Sequence, residues 1–93
     1  MRLVPPTDFE ILESLADGKR NTAANLAVEL GKDRGYINTR LPKLVDYGLL
    51  EKIGPHSNSG LYAITDRGQA ALQLREEYEH TIDFEARIDA YLS

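Results

Sequence analysis

Residues 21–47 read NTAANLAVELGKDRGYINTRLPKLVDY, and this stretch decides the fold of the chain. Apolar side chains recur there at helical spacing on both sides of one glycine. They are Leu26, Ala27 and Leu30 before Gly31, and Ile37, Leu41, Leu44 and Val45 after it. Gly31 can take the left-handed conformation that ends a helix, and the small Ala27 lets two helices approach closely over a short turn. The stretch therefore predicts a helix-turn-helix.

The second helix of this motif has a polar side that its apolar stripe leaves free. On that side we expect a DNA-contacting set made of Arg34, Tyr36, Asn38, Thr39, Arg40 and Lys43. Arginine can pair with a guanine edge, asparagine with adenine, and threonine can touch the thymine methyl group. Lysine and tyrosine mainly reach phosphates, and Arg34, at the helix start, should meet a phosphate before a base. We expect Arg40 to be exposed; for every member a solvated surface position is the alternative, and for Tyr36 half-buried packing.

Pro42 falls inside this second helix. It removes one amide hydrogen bond and crowds the Asn38 carbonyl, at a cost of about 3 kcal/mol in an ordinary helix interior. We therefore expect a kink between Asn38 and Pro42. The alternative is that packing tolerates the proline because the first half of the helix makes the contacts.

The flanking sequence predicts one helix before the motif and a two-stranded wing after it. Thr7 or Asp8 can cap the first helix, which ends near residue 16. Residues 49–53 and 61–64 read as strands around a polar loop. At the loop tip we expect His56, Ser57 and Asn58 to touch the DNA backbone. Thr65 caps a further helix, which Gly68 weakens slightly.

The charge of the chain is distributed unevenly. The net charge is −4, but residues 18–60 alone carry +3 and the remainder carries −7. A field that attracts nucleic acid depends on such local clustering and not on the whole-chain sum. Within the basic segment we expect Lys19, Arg20 and Lys32 to contact the DNA backbone, with a solvated surface position as the alternative.

The C-terminal segment is acidic but amphipathic. Its apolar residues recur mostly every three or four positions and are Tyr78, Ile82, Phe84, Ile88, Tyr91 and Leu92. We expect residues 1–74 to form the DNA-binding domain and residues 75–93 a helical extension that joins two copies in a homodimer. The alternative is that this segment folds back onto Phe9, Ile11 and Leu15. It runs as one helix or breaks at residues 80–83, where Thr81 or Asp83 could cap a new helix.

The composition excludes several other classes of function. The chain has no cysteine, which removes disulfides, thiolate zinc sites and thiol redox sensing. His56 and His80 are far apart and lack a ligand pattern, so we expect no metal and no cofactor. We find no nucleophile-base pairing or phosphate loop of an enzyme, and no apolar run long enough to span a bilayer. We therefore expect a cytoplasmic protein that is not an enzyme; the sequence leaves any small-molecule effector open.

Three stretches resemble a known family. RNTAANLAVELG (20–31), GYINTRLPKLVDYGLLEKI (35–53) and GLYAITDRGQAAL (60–72) are similar to archaeal winged-helix transcription regulators related to haloarchaeal phage repressors, within the wider class of MarR- and PadR-like regulators. The resemblance covers roughly residues 8–74. It implies a mostly helical α+β fold, a winged helix-turn-helix with a two-stranded wing, and a regulator of double-stranded DNA that is usually dimeric.

Two functions remain open from the sequence. The first is a repressor that binds a pseudo-palindromic operator as a homodimer, with its recognition helices one helical turn apart. The second is a protein-interaction module without DNA binding, because a fold does not by itself fix a function. Neutralisation of Arg34, Arg40 and Lys43 by neighbouring acids would favour the second.

Overall fold

A computed structural model describes residues 1–54 and 60–93 of the chain. The described residues form these elements in order: α1 Thr7–Ser14, β1 Asn21–Thr22, α2 Ala23–Leu30, α3 Arg34–Asp46, β2 Leu50–Ile53, β3 Leu61–Ile64, α4 Asp66–Gln73, a 3₁₀ helix Arg75–His80, and α5 Phe84–Leu92. The fold is the predicted winged helix, mostly helical with a small antiparallel sheet. The predicted wing tip (His56, Ser57 and Asn58) lies outside the described residues.

Local capping places the helix-turn-helix where the sequence predicts it. The side chain of Thr22 accepts a hydrogen bond from the Asn25 amide at 3.2 Å and begins α2. Gly31 ends α2 with a φ of 64°, in the left-handed region that glycine adopts without strain. Asp33 then caps α3 by accepting from the Tyr36 amide at 3.0 Å. The turn between the two helices is therefore fixed by contacts that span only a few residues.

The recognition helix, α3, begins at Arg34 and continues past Pro42 to Asp46. Pro42 is exposed, whereas Leu41 and Leu44 on either side of it are fully buried. Packing of these leucines holds the helix beyond the proline, as expected if packing tolerates Pro42. The predicted kink stays a prediction.

The wing strands are confirmed, and a third short strand joins them. β2 and β3 pair antiparallel with Leu50 opposite Ile64 and Ile53 opposite Leu61, and the sheet order is β1-β3-β2. β1 was not predicted, because two residues are too few to show a periodic pattern. Since β1 leads directly into α2, it ties the start of the helix-turn-helix to the wing.

The junction between α3 and α4 sets where the wing begins. The Thr65 hydroxyl donates to the Gly48 carbonyl at 2.6 Å and accepts from the Gly68 amide at 3.0 Å. The Thr65 amide donates to the Leu49 carbonyl oxygen at 3.1 Å. A Cβ atom at Gly68 would lie 2.1 Å from that same oxygen. Glycine is therefore required here by close packing, and its weak helix propensity is secondary.

The C-terminal segment shares the hydrophobic core of the winged helix. The Phe9 ring makes edge-on contacts with Tyr78 at 5.7 Å and with Phe84 at 6.4 Å between ring centroids. Phe84 and Ile88 are buried in the core of their own chain, so their assignment to a dimer surface was wrong. The helical structure is interrupted between the 3₁₀ helix and α5. The Asp83 side chain caps α5 by accepting a hydrogen bond from the Ala86 amide at 3.0 Å. None of the described helices has the length and apolar character needed to cross a membrane.

Candidate nucleic-acid interface

One side of α3 is open to solvent and carries most of the residues predicted for DNA contact. Ile37, Leu41 and Leu44 are buried at intervals of four and three, which turns the other side of the helix outward. The exposed members of the predicted set are Arg34, Tyr36, Asn38, Thr39 and Lys43. We call these five residues the open face of α3.

Hydrogen bonds within α3 limit what the open face can offer. The Thr39 hydroxyl donates its hydrogen to the Tyr36 carbonyl at 2.6 Å, so for a base there remain its methyl group and an oxygen that can only accept. Tyr36 is 38% exposed, so part of its side chain packs on the protein and part is open for contact.

Arg40 does not belong to the open face. Its Nε lies 3.0 Å from Asp8 Oδ1 and its Nη2 lies 2.8 Å from Asp8 Oδ2, a bidentate ion pair. The Asp8 side chain is 0% exposed and the Arg40 side chain only 14% exposed. The expectation of an exposed Arg40 that reads DNA was therefore wrong. A buried carboxylate requires a charged partner, and Arg40 is that partner.

The pair with Asp8 further favours the charged form of Arg40. Hydrogen bonding to the Asp8 carboxylate raises the pKa of Arg40 above its ordinary value, with a further contribution from the opposite charge, while burial acts in the other direction. The guanidinium is charged at physiological pH in any case, so the pair stabilises that charge and does not create it. The sequence held one signal for this role: Arg40 lies three residues after the buried Ile37 and four before the buried Leu44, at the border of the apolar stripe.

The predicted backbone contacts have different environments. Lys19 and Arg20 are exposed in the segment that leads into β1. Lys32, in the turn between α2 and α3, has its Nζ 3.3 Å from a carboxylate oxygen of Glu10. Lys32 is therefore partly neutralised by α1, whereas Lys19 and Arg20 face solvent beside the helix-turn-helix.

A cleft separates the first half of α3 from the wing. It has a volume of about 440 Å³ and is lined by Thr22, Ala23, Ala24, Arg34, Asn38, Lys52, Gly60 and Tyr62. Lys52, on β2, was not predicted for the site. Lys52 lies opposite Tyr62 of β3 in the sheet, and its Nζ is 5.9 Å from the centre of the Tyr62 ring. Because its place beside α3 depends on how the sheet packs, sequence patterns could not have found it.

Positive charge remains available on the open face. The ion pairs between described residues involve Lys32, Arg40, Arg67, Arg75 and Arg87, and within that part of the chain neither Arg34 nor Lys43 takes part in one. Neutralisation of Arg34, Arg40 and Lys43 by acids would have favoured a protein-interaction role over DNA binding. Among the described residues, an acid neutralises Arg40 but not the other two. Residues 1–54 and 60–93 contain no group of three or more His, Asp or Glu side chains that could hold a metal ion.

An exposed recognition helix beside a wing defines a DNA-binding winged helix. Residues 5–51, more than half of the 93-residue chain, match the family described as winged helix-turn-helix DNA-binding. The chain therefore belongs to this family. No curated protein matches it significantly.

Two solved structures of MarR from E. coli share the fold. The oxidised form aligns with a TM-score of 0.65 and 23% identity, over 96% of this chain and 72% of MarR. The reduced form aligns with a TM-score of 0.65 and 22% identity, over 97% of this chain and 67% of MarR. Thiol oxidation cannot occur within this chain, because it contains no cysteine.

Proposed function

We propose that this chain is a transcriptional repressor that binds a pseudo-palindromic operator as a homodimer. The observation that carries the proposal is the open face of α3, on which Arg34 and Lys43 have no acidic partner among the described residues. The resemblance to archaeal regulators related to haloarchaeal phage repressors supports the same role. On this proposal the protein acts in the cytoplasm and is not an enzyme.

The proposed reading places α3 in the major groove. Asn38 then pairs with adenine and Thr39 contacts a thymine methyl group, while Arg34 and Lys43 contact phosphates. Lys52, in the cleft beside α3, and the exposed Lys19 and Arg20 before β1 contact the DNA backbone in this proposal. Backbone contact through His56, Ser57 and Asn58, which lie outside the described residues, completes the proposal.

A test of DNA binding begins with selection of bound fragments from random double-stranded DNA. The selected site is then titrated at several salt concentrations with the wild type and with Arg34→Ala. Affinity falls as salt rises, so the slope of log affinity against log salt is negative. Loss of one phosphate contact reduces the magnitude of this slope by about 0.9. Arg75→Ala is the matched control, because it removes an arginine paired with Glu13 at 2.8 Å, outside the open face. Two results would contradict the proposal: failure to select any DNA, or a slope for Arg34→Ala equal to those of the wild type and Arg75→Ala.

The proposed dimer uses apolar side chains that the fold leaves uncovered in the C-terminal segment. Ile82 is fully exposed, and Tyr91 and Leu92 are 49% and 45% exposed. Two copies that cover these residues would place their recognition helices in successive major grooves, about one helical turn apart.

Truncation cannot test this dimer, because it would also remove the core residues Phe84 and Ile88. Sedimentation of the full chain carrying Tyr91→Glu and Leu92→Glu is therefore the test, and we expect a monomer. Val28→Glu is the control, since it replaces an apolar residue of α2 that is also exposed. A dimer that survives the double substitution would exclude this surface.

The second candidate function is a protein-interaction module. Neutralisation of Arg40 by Asp8 is the observation that favours it. The selection experiment separates the two functions, because only the DNA-binding reading predicts a selected site.

A further inference from the structure

The carboxylate of Asp8 is a buried node between three parts of the chain. It accepts hydrogen bonds from the Val4 amide at 2.7 Å, from Arg40 Nε at 3.0 Å and from Arg40 Nη2 at 2.8 Å. These contacts satisfy a carboxylate that has no exposed surface. Asp8 thus joins the N-terminal segment, α1 and the middle of α3 at a single group.

The two sides of this node lead to different surfaces. On the α1 side, the next residue, Phe9, packs against Tyr78 and Phe84 of the C-terminal segment. On the α3 side, Arg40 directly follows Asn38 and Thr39 of the open face. A bidentate pair fixes both the distance and the angle between its partners, so it restricts the rotation of α3 about its own axis relative to α1.

The N-terminal segment reinforces this arrangement through two tyrosines. The Tyr47 hydroxyl, at the end of α3, bonds to the amide and carbonyl of Arg2 at 3.2 and 3.1 Å. The Tyr78 hydroxyl bonds in the same way to Leu3, at 2.8 and 3.2 Å. The segment that ends at the Asp8 node is therefore also tied to α3 and to the 3₁₀ helix.

We propose that Asp8 and Arg40 are positioning residues for DNA recognition. The pair holds α3 in the rotation that presents Arg34, Asn38 and Lys43 to the duplex, and neither member touches DNA. This inference rests on the proposed function and adds to it a residue, Asp8, that lies outside the helix-turn-helix.

Asp8→Asn separates the positioning role from direct contact by the sign of its effect. If Asp8 merely masked an arginine able to reach DNA, the substitution would release Arg40, strengthen binding and steepen the salt dependence. If the pair positions α3, binding to the selected site should weaken about tenfold or more, because misplacing the helix weakens at least one base contact. The salt dependence should stay the same or become shallower, since a misplaced α3 gains no phosphate contact and weakens those of Arg34 and Lys43. Tighter binding, a steeper slope or unchanged affinity would overturn the inference.

Glu13→Gln is the matched control. It removes one negative charge from the same helix at an exposed position, where the carboxylate pairs with Arg75. We expect it to leave affinity unchanged or slightly higher. Weakening equal to that of Asp8→Asn would mean that any loss of an acid from α1 has this effect, and would overturn the inference.

A measurement on the free protein keeps the test valid if Asp8→Asn fails to fold or the wild type binds no DNA. Arg40→Lys retains the charge and one hydrogen bond but not the bidentate geometry. We expect the substitution to change amide chemical shifts in both helices. The affected residues should include Asp8 and Phe9 in α1 and Arg34 at the start of α3. Changes confined to one helical turn around residue 40 would overturn the inference. Failure of the wild type to select DNA would instead defeat the proposed function and leave this readout intact.

Discussion

Replacement of Gly68 by alanine tests the packing of α4 on the segment that links α3 to the wing. The new Cβ would lie 2.1 Å from the Leu49 carbonyl oxygen and 2.6 Å from Ile64 Cγ1, well below the 3.0 Å that real Cβ contacts respect. The Leu49 oxygen cannot move freely, because it also accepts the Thr65 amide at 3.1 Å. Relief of the clash therefore requires a shift of the backbone at the base of the wing.

Two effects of the substitution oppose each other. Alanine gains about 1 kcal/mol over glycine in a helix interior. Overpacking costs about 1–3 kcal/mol, and disruption of the Thr65–Leu49 hydrogen bond about 1 kcal/mol more. We expect the clash to dominate and to lower the free energy of unfolding by about 1–3 kcal/mol, with a fall in Tm of about 4–8 °C for each kcal/mol.

Urea unfolding followed by circular dichroism measures this difference. Gly35→Ala is the matched control, because Gly35 also lies in a helix but its Cβ would meet a side-chain oxygen instead of a carbonyl: Asp33 Oδ2, the cap of α3, at 2.9 Å. Displacement of that cap costs about 1 kcal/mol, which the higher helix propensity of alanine offsets. We expect that control to stay within about 0.5 kcal/mol of the wild type. A more stable Gly68→Ala protein would refute the reasoning, since helix propensity alone would then explain the result.

Three further predictions concern the cap of α2, the buried ion pair and the cleft. Thr22→Ala should lower the free energy of unfolding by about 1 kcal/mol, because the Asn25 amide loses its acceptor, and equal urea midpoints would contradict this. Arg40→Met should lower it by about 3–5 kcal/mol by leaving the Asp8 carboxylate buried and unpaired. Because pairing raises the pKa of Arg40, its contribution in the wild type is complete below the unfolded pKa and lost only as pH rises through the folded value, so the charge of Arg40 should add no step to wild-type stability between about pH 6 and 9. Lys52→Ala should weaken DNA binding and lower the salt slope by about 0.9, and a titration with an unchanged slope would remove Lys52 from the site.

Elements whose ends depend on local contacts could be predicted from the order of residues. The caps at Thr22, Asp33 and Thr65 each accept an amide three residues ahead, and Gly31 ends α2 through its own backbone conformation. Such interactions lie within one helical turn, so the order of residues specifies them. The same holds for the polar side of α3, which follows from the spacing of its buried residues.

The partner of each side chain across the fold followed from packing and could not be predicted from the order of residues. Asp8 meets Arg40 over 32 positions of sequence, and Phe84 packs on Phe9 of α1. Sequence periodicity shows that a face is apolar or charged, but not which other face covers it. The role of Arg40 therefore changed from a reading residue to a buried partner, because the packing of α1 against α3 brings a carboxylate to its guanidinium and leaves Arg34 and Lys43 in solvent.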